Sequence, residues 1–564
     1  MYLRITEPRP VEARAFRPAK TLPPKQGLQP RTANQRQCLA AECYIRHVCS
    51  PAGNSLNTAP PPFWPMVRDA RRFFLLVTLA AFALRLVFYF KFPHVTGDSL
   101  VYGDIAKNWL DRGIFGLTHS DGVHPTLIRL PGYPAFLAAC FALFGREHYN
   151  AVLLVQIVID VATCFFIADL ARRTVSATPA SASSSPISST LAAKKDQHLA
   201  IAGDSGERAA RFTFLLAALC PFTANYTVAP LTETLSIFFV AVALDAAAAG
   251  FNASEQGLGA WPAWTWCGVA IACSILLRPD GGILLIALGL YLLFRLSRRP
   301  LERAHLFWAG VLVLAISLAP LVPWTVRNWR DFHRFQPLVP QSASDPDEFS
   351  PDGFEKWVRT WAADYVSTEE VYWQVPDDKV DLGVLPSRAF DTPAEREKTQ
   401  AIFDVYARTL VINPELNSQL TALANERIRR DPLRYYVWLP ALRVADMWLR
   451  PRTEMLPLDS RWWDYAGDTE SSLIATLWGV LNLLFIFAAV MGVVRGPRPR
   501  YLAMMLLFVL LRSAFLGTLP NPEPRYTLEC YPVVLLLAGA WVSGRGSLRE
   551  NRLAASRQWT MTTK

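Results

Sequence analysis

Residues 72–92, RFFLLVTLAAFALRLVFYFKF, lead into TGDSLVYGDIAKNWLDRG at 96–113. Between Arg72 and Lys91 only Arg85 interrupts the apolar run, which is long enough to cross a hydrocarbon layer of about 30 Å. Lipid offers a backbone amide no hydrogen-bond partner, so such a run crosses as a helix. The second stretch sets two acids, Asp98 and Asp104, around Tyr102 where the chain leaves that layer. Asp98 is a good N-cap for the short helix that follows, and it is also placed to accept a proton at the membrane surface. The two roles are compatible, because a helix start holds the carboxylate in one direction.

The apolar pattern repeats along the chain. Of 564 residues, 52% are hydrophobic and 18% charged, with 18 Trp and 32 Phe, which excludes a string of soluble domains. Candidate spans lie at 72–92, 149–171, 211–228, 231–249, 262–278, 281–297, 305–325, 472–494, 499–518 and 528–545, about ten in all. The expected fold is an all-α integral membrane bundle whose extracytoplasmic loops carry interfacial helices. A formal charge of +10 would suit nucleic acid, yet the basic residues sit in short loops between apolar runs. The bilayer is therefore the expected partner, and nucleic acid is not. Placing Arg68, Arg71 and Arg72 in the cytoplasm sends Arg172, Arg173, Lys194 and Lys195 to the same side by alternation. Arg295, Arg298 and Arg299, then Arg495, Arg498 and Arg500, and the C-terminal tail follow them.

Residues 1–65 are rich in Pro, Arg and Gln without an apolar core, and read as a disordered cytoplasmic tail, not a signal peptide. Met66 would make a natural start, which leaves open whether the tail is native. Cys38, Cys43 and Cys49 near His47 lack a paired C-x-x-C and make a poor metal site. The other cysteines lie in or beside apolar runs as small hydrophobes, so no disulfide framework is implied. The loop 172–210 contains the flexible linker SATPASASSSPISST.

Everything unusual falls on the opposite face: loop 93–148, the turn ANYTVAPLTE, the break LLRPDGG at 276–282, the segment 326–471 and the turn GTLPNPEPRY. Within 326–471, ERIRRDPLRYYVWLPALRVADMWLRP suits a helix lying at the interface. Reading 435–449 as a further span would sink Arg443 and Asp446 in lipid and flip the later basic loops, and is set aside. The chain thus divides into the tail 1–65, a membrane bundle 66–325, the extracytoplasmic segment 326–471, membrane helices 472–546 and a cytoplasmic tail 547–564.

Loop 93–148 continues into HPTLIRLPGYPAFLAACFALFG, where Pro131 and Pro134 break any preceding helix and 135–144 is too short to cross. The loop is therefore tied to the bilayer surface. Glu233, Arg278 with Asp280, Arg327 and Arg525 stand at span ends on the same side. A charge at mid-span costs roughly 2.5–3.5 kcal/mol, so each needs a partner or a task. Any one arginine could be snorkelling. Together, two or three arginines and as many carboxylates make a site for an anionic headgroup beside a base. The guanidinium fork matches phosphate oxygens and stabilises charge that grows on a phosphate leaving group, while a carboxylate takes the proton of an incoming hydroxyl.

The sequence resembles the GT-C membrane glycosyltransferases of the protein O-mannosyltransferase and lipid A aminoarabinose transferase type, a glycosyltransferase family 39-like pattern. As in that family, an acid after the first span, Asp98, precedes a tyrosine, Tyr102, by four positions and a second acid, Asp104, follows. Arg129-Leu130-Pro131-Gly132-Tyr133-Pro134 matches the family's RPPGYP, with Leu130 where Pro is usual. PLTETL at 230–235, LLRPDG at 276–281, PWTVRNW at 323–329 and RYTLECYP at 525–532 resemble further recurring segments. Ser99 stands where many relatives carry a second acid, which weakens any two-carboxylate role for that pair.

The resemblance implies a polyprenyl-phosphate sugar donor and an inverting displacement. Asp98 is then the catalytic base, with Tyr102, Asp104, Arg129, Tyr133, Glu233, Arg278, Arg327, Arg525 and Tyr526 on the substrates. The acceptor, a hydroxyl or phosphate on lipid, glycan or protein, is left open, as is a divalent metal; no cofactor is implied. The expected location is the plasma (inner) membrane, with the site facing the periplasm or exterior. A flippase for lipid-linked saccharides would share the arginines but calls for internal repeats and a polar route across the membrane, and no repeat is present. A non-enzymatic scaffold built around 326–471 would leave the charges on the other loops unexplained. Arg85, Asp160 and Asp245 lie within spans and read as helix-packing partners.

Overall fold

Apolar runs fold as helices, and proline and glycine decide where they stop. The computed structural model describes residues 63–95, 97–175, 191–340, 344–346, 348–376 and 378–545, with 191–204 and 301 as backbone alone. The N-terminal tail with Cys38, Cys43 and Cys49, the Ser/Ala-rich linker and the C-terminal tail 547–564 lie outside the described residues. After α1 (Phe63–Asp69) come α2 (Arg71–Lys91), α3 (Gly97–Arg112), a hairpin of β1 (Gly116–His119) and β2 (Gly122–Pro125), α4 (Gly132–Phe144) and α5 (Tyr149–Thr174). The bundle continues through α6 (Leu191–Ala218), α7 (Pro221–Asn225), α8 (Glu233–Glu255), α9 (Trp261–Leu277), α10 (Gly282–Arg298), α11 (Arg303–Leu318) and α12 (Leu321–Phe332).

Seven helical stretches among the described residues are long and apolar enough to cross a membrane: α2, α5, α8, Pro279–Arg298, Arg303–Phe332, Thr469–Val494 and Pro524–Arg545. The runs predicted at 262–278 and 499–518 are helical but shorter, at Trp261–Leu277 and Leu502–Leu516. The span predicted at 211–228 is not continuous. Its helix ends at Ala218, and Cys220 is extended (ψ 110°) because Pro221 disfavours helical geometry in the residue before it. Burial sorts the rest: α8 and Pro524–Arg545 are 78% and 83% buried over their apolar windows, against 22–28% for α2, Arg303–Phe332 and Thr469–Val494. The first two are therefore the core of the bundle, and the others present side chains to lipid. Small residues let α8 sit there: Gly250 lies so close to Trp264 that a Cβ would come within 2.7 Å of its ring.

Beyond α12, α13 (Asp352–Arg359), α14 (Pro393–Thr409) and α15 (Pro414–Arg430) close over a second core of Phe354, Trp357, Trp361, Phe403, Tyr406 and Leu420. Thr392 and Asn413 cap α14 and α15 through the amides of Glu395 and Leu416. The interfacial helix expected across 426–451 is broken at Asp431-Pro432, and its second half ends in α16 (Leu439–Leu449). Leu433, Tyr436, Val437 and Trp438 lie exposed just before it, an apolar edge suited to an interface. Arg443 faces inward and donates to the carbonyls of Arg359, Ala362 and Gly517, which pins this segment to the membrane helices. The chain closes with α17 (Thr469–Val494), α18 (Leu502–Leu516) and α19 (Pro524–Arg545), the last opening as a 3-10 stretch.

The charges inside spans are paired as expected. Arg85 meets Asp160 at 2.5 Å with both side chains out of solvent, and Arg173 meets Asp245 at 2.8 Å. Removing one partner of a buried pair strands the other charge, at about 3–5 kcal/mol, whereas replacing both by apolar groups is often neutral. Asp160→Ala is thus expected to lower the melting temperature in detergent clearly, and Arg85→Met with Asp160→Leu to restore most of it. Equal losses in the single and double variants would contradict this.

Candidate active site

Asp98 sits in the first turn of α3, and the loop that carries it is braced by residues the sequence had placed on substrate. Gly113, at φ +71°, ends α3 and turns the chain into the hairpin. Asp104 accepts from the Thr118 amide at 2.7 Å and its hydroxyl at 2.9 Å, tying α3 to β1. Arg327 donates to the carbonyls of Phe115 and Thr126, both at 2.7 Å, packs on the rings of Phe115 and Trp324, and pairs with Asp331 at 2.8 Å. Asp104 and Arg327 therefore hold the hairpin and are not brought to the arginine cluster. Their donors and acceptors are taken up largely by the hairpin and the chain around it.

The RLPGYP stretch works by close approach. A Cβ on Gly132 would come 2.6 Å from the Leu276 carbonyl, so only glycine lets the start of α4 lie against the end of α9. That contact brings Arg129, just before α4, near Arg278, just after α9. Tyr133 is buried, donates to Gln156 Oε1 at 2.8 Å and meets Tyr102 edge to face at 5.0 Å. It supports Tyr102 from below and does not reach the open end of the site.

The remaining predicted residues converge. Asp98 Oδ1 accepts from Arg129 at 2.9 Å, and its other oxygen lies 3.7 Å from Arg525. Arg525 is 2.6 Å from Glu523 and 3.7 Å from Glu233, and Glu233 is 3.3 Å from Arg278. Arg278 continues to Asp280 at 3.3 Å and Glu529 at 3.7 Å, and both acids close on Arg512 at 2.9 Å. Tyr526 lies under both Arg278 and Arg525, at 4.7 and 5.4 Å, and donates to Glu523 at 2.5 Å. Charges alternate along this series because a carboxylate offsets the charge of each guanidinium as well as accepting its hydrogen bonds.

Only one end of the network is open. The Asp98 side chain is 39% exposed, against 2% for Glu233 and Glu529 and 0% for Arg512. Burial raises the Asp98 carboxyl, but Arg129 and then Arg525 outweigh it and hold the group below its ordinary value of 3.8. Asp98 is therefore ionised through the neutral range. Arg512, Glu523 and Glu529 were missed by the sequence reading. A lone arginine in LLFVLLRSAFL was the available signal for the first, and Glu523 gave none beyond its place beside Arg525. Among the described residues, no group of three or more His, Cys, Asp or Glu is placed to hold a metal ion.

Residues 200–324 match the family described as dolichyl-phosphate-mannose-protein mannosyltransferase. The matched stretch carries Glu233, Arg278 and Asp280 and ends before Arg327; Asp98, Arg129 and Arg525 lie outside it. The resemblance to membrane glycosyltransferases expected from the motifs is borne out there. Crystal structures of ArnT from Cupriavidus metallidurans, bound to undecaprenyl phosphate and in the apo state, are also similar, at 14% and 16% identity. They cover 84% and 85% of this chain and 78% of their own, with TM-scores of 0.34 and 0.33, too loose a likeness to place any residue. No curated protein matches the chain.

The bracing role of Arg327 is checked by hydrogen exchange. Arg327→Met is expected to speed exchange roughly tenfold at the Thr126 amide, which bonds the Phe115 carbonyl at 3.1 Å, and to leave α8 unchanged. Unchanged protection at Thr126 would contradict the brace.

Proposed function

We propose that the protein is a membrane glycosyltransferase that moves a sugar from a polyprenyl-phosphate donor to an acceptor hydroxyl or phosphate at the membrane surface. The enzyme class is that of the matched family. The observation that carries the mechanism is the convergence of Asp98 with Arg129 and Arg525 at the open end of a buried charge network. A phosphate on a lipid arrives laterally at this depth, and the two guanidinium groups offer it planar donors.

Four arginines and five carboxylates make up the network, so there is no surplus positive charge waiting for an anion. The phosphate must displace a carboxylate. Asp98, the most exposed member and only 3.7 Å from Arg525, is the one that can yield. Once Arg129 and Arg525 turn to the phosphate, the pull that depressed the Asp98 carboxyl is gone and burial dominates, which makes it a stronger base. Donor binding thus prepares Asp98 to take the acceptor's proton while the arginines stabilise the departing phosphate. Attack from the side opposite the phosphate inverts the anomeric centre. The site faces the exterior or periplasm if the Arg172, Arg295 and Arg500 ends are cytoplasmic, as their charge favours.

Membranes containing the protein are expected to transfer radiolabelled sugar from polyprenyl phosphate, and Asp98→Asn to reduce this by about 10²–10⁴-fold with expression intact. Transfer at the wild-type rate by Asp98→Asn would remove Asp98 from the chemistry. Arg525→Lys keeps charge but loses the planar fork, and is expected to raise the donor KM.

A further inference from the structure

Glu454 lies in the loop between α16 and α17, and neither of its carboxylate oxygens, both out of reach of solvent, meets a donor from another residue; only its own backbone amide acts on the carboxyl. The neighbouring arginines do not supply a donor. Arg452 gives its donors to Asn482, Thr527 and the carbonyls of Met447 and Pro524, while Arg450 bonds the Ser460 carbonyl and lies over the Tyr365 ring. The Tyr226 hydroxyl is likewise buried and unpartnered, as is one oxygen of Glu369. Arg452, two residues before Glu454, bonds the carbonyl of Pro524 next to Arg525, and Thr234, next to Glu233, bonds the Tyr226 carbonyl, so Glu454 and Tyr226 both border the arginine cluster.

Buried polar atoms are nearly always satisfied, and several orphans on one flank of a reaction site point to a ligand. Those orphans are mostly acceptors. A phosphate brings no donor to them, whereas a sugar hydroxyl both donates and accepts. We propose that Glu454 and Tyr226 form the subsite for the sugar ring of the donor, beside the arginines that take its phosphate. The proposal rests on reading those arginines as the phosphate cradle. Burial raises the Glu454 carboxyl above its ordinary value, against the pull of Arg452.

The test compares purified protein binding undecaprenyl phosphate alone with binding undecaprenyl phosphate bearing mannose, glucose, a pentose or an aminopentose. The wild type is expected to bind at least one sugar-bearing lipid roughly tenfold tighter than the bare one, on the scale of one hydrogen bond to a charged group. Glu454→Leu should erase that preference while bare-lipid affinity stays within about twofold of wild type. Glu454→Gln, which keeps volume, and Tyr226→Phe should reduce the preference in the same direction if the leucine variant is not monodisperse. No preference in the wild type, or a preference kept in a folded Glu454 variant, overturns the subsite. Arg525→Ala tests the underlying reading separately: unchanged bare-lipid binding there sinks the cradle, whatever Glu454 does.

Discussion

A guanidinium can leave water only when acceptors meet it, and at one end of the bundle those acceptors are carboxylates. Glu233 on the first turn of α8, Asp280 at the start of Pro279–Arg298 and Glu529 in α19 each face a guanidinium from another element, Arg278 for the first and Arg512 for the other two. Because the charges come from helix ends far apart in sequence, pairing them fixes how those ends meet. Such a network adds little net stability compared with an apolar core of the same shape, since desolvation offsets most of the attraction. What it does provide is a site with one reachable carboxylate, Asp98, set against arginines that cannot lose their charge.

Much of the fold was legible because the bilayer reduces the problem to apolar length. The run at 72–92 became α2 and that at 149–171 became α5, each within a few residues at either end. Reading failed where length and proline disagreed. Apolar character continues past Ala218, but Pro221 forces Cys220 out of helical geometry and splits the predicted span. The break at Asp431-Pro432 divides the interfacial helix by the same rule.

The site was legible in part, for a different physical reason. Glu233, Arg278 and Arg525 stood out because charge at a span end is costly, and that cost is visible in one dimension; Asp98 stood out as an acid where the chain leaves the layer, and Arg129 only through its RLPGYP motif. Which of these charges meet is not. Arg327 satisfies the same pattern as Arg525, yet its guanidinium is spent on the carbonyls of Phe115 and Thr126. Asp104 braces β1, and Tyr133 turns inward to Gln156. Glu454 is one acid in a polar loop, and only the absence of donors from other residues around it in three dimensions marks it out.

In the proposed mechanism, displacement of one carboxylate by another anion is the step on which catalysis depends. A cryo-electron microscopy structure with undecaprenyl phosphate bound tests it most directly. The account predicts phosphate oxygens within about 3 Å of the Arg129 and Arg525 guanidinium groups, with Asp98 swung off Arg129. Phosphate seated away from these arginines, or seated there with the Asp98–Arg129 bond intact, would contradict it.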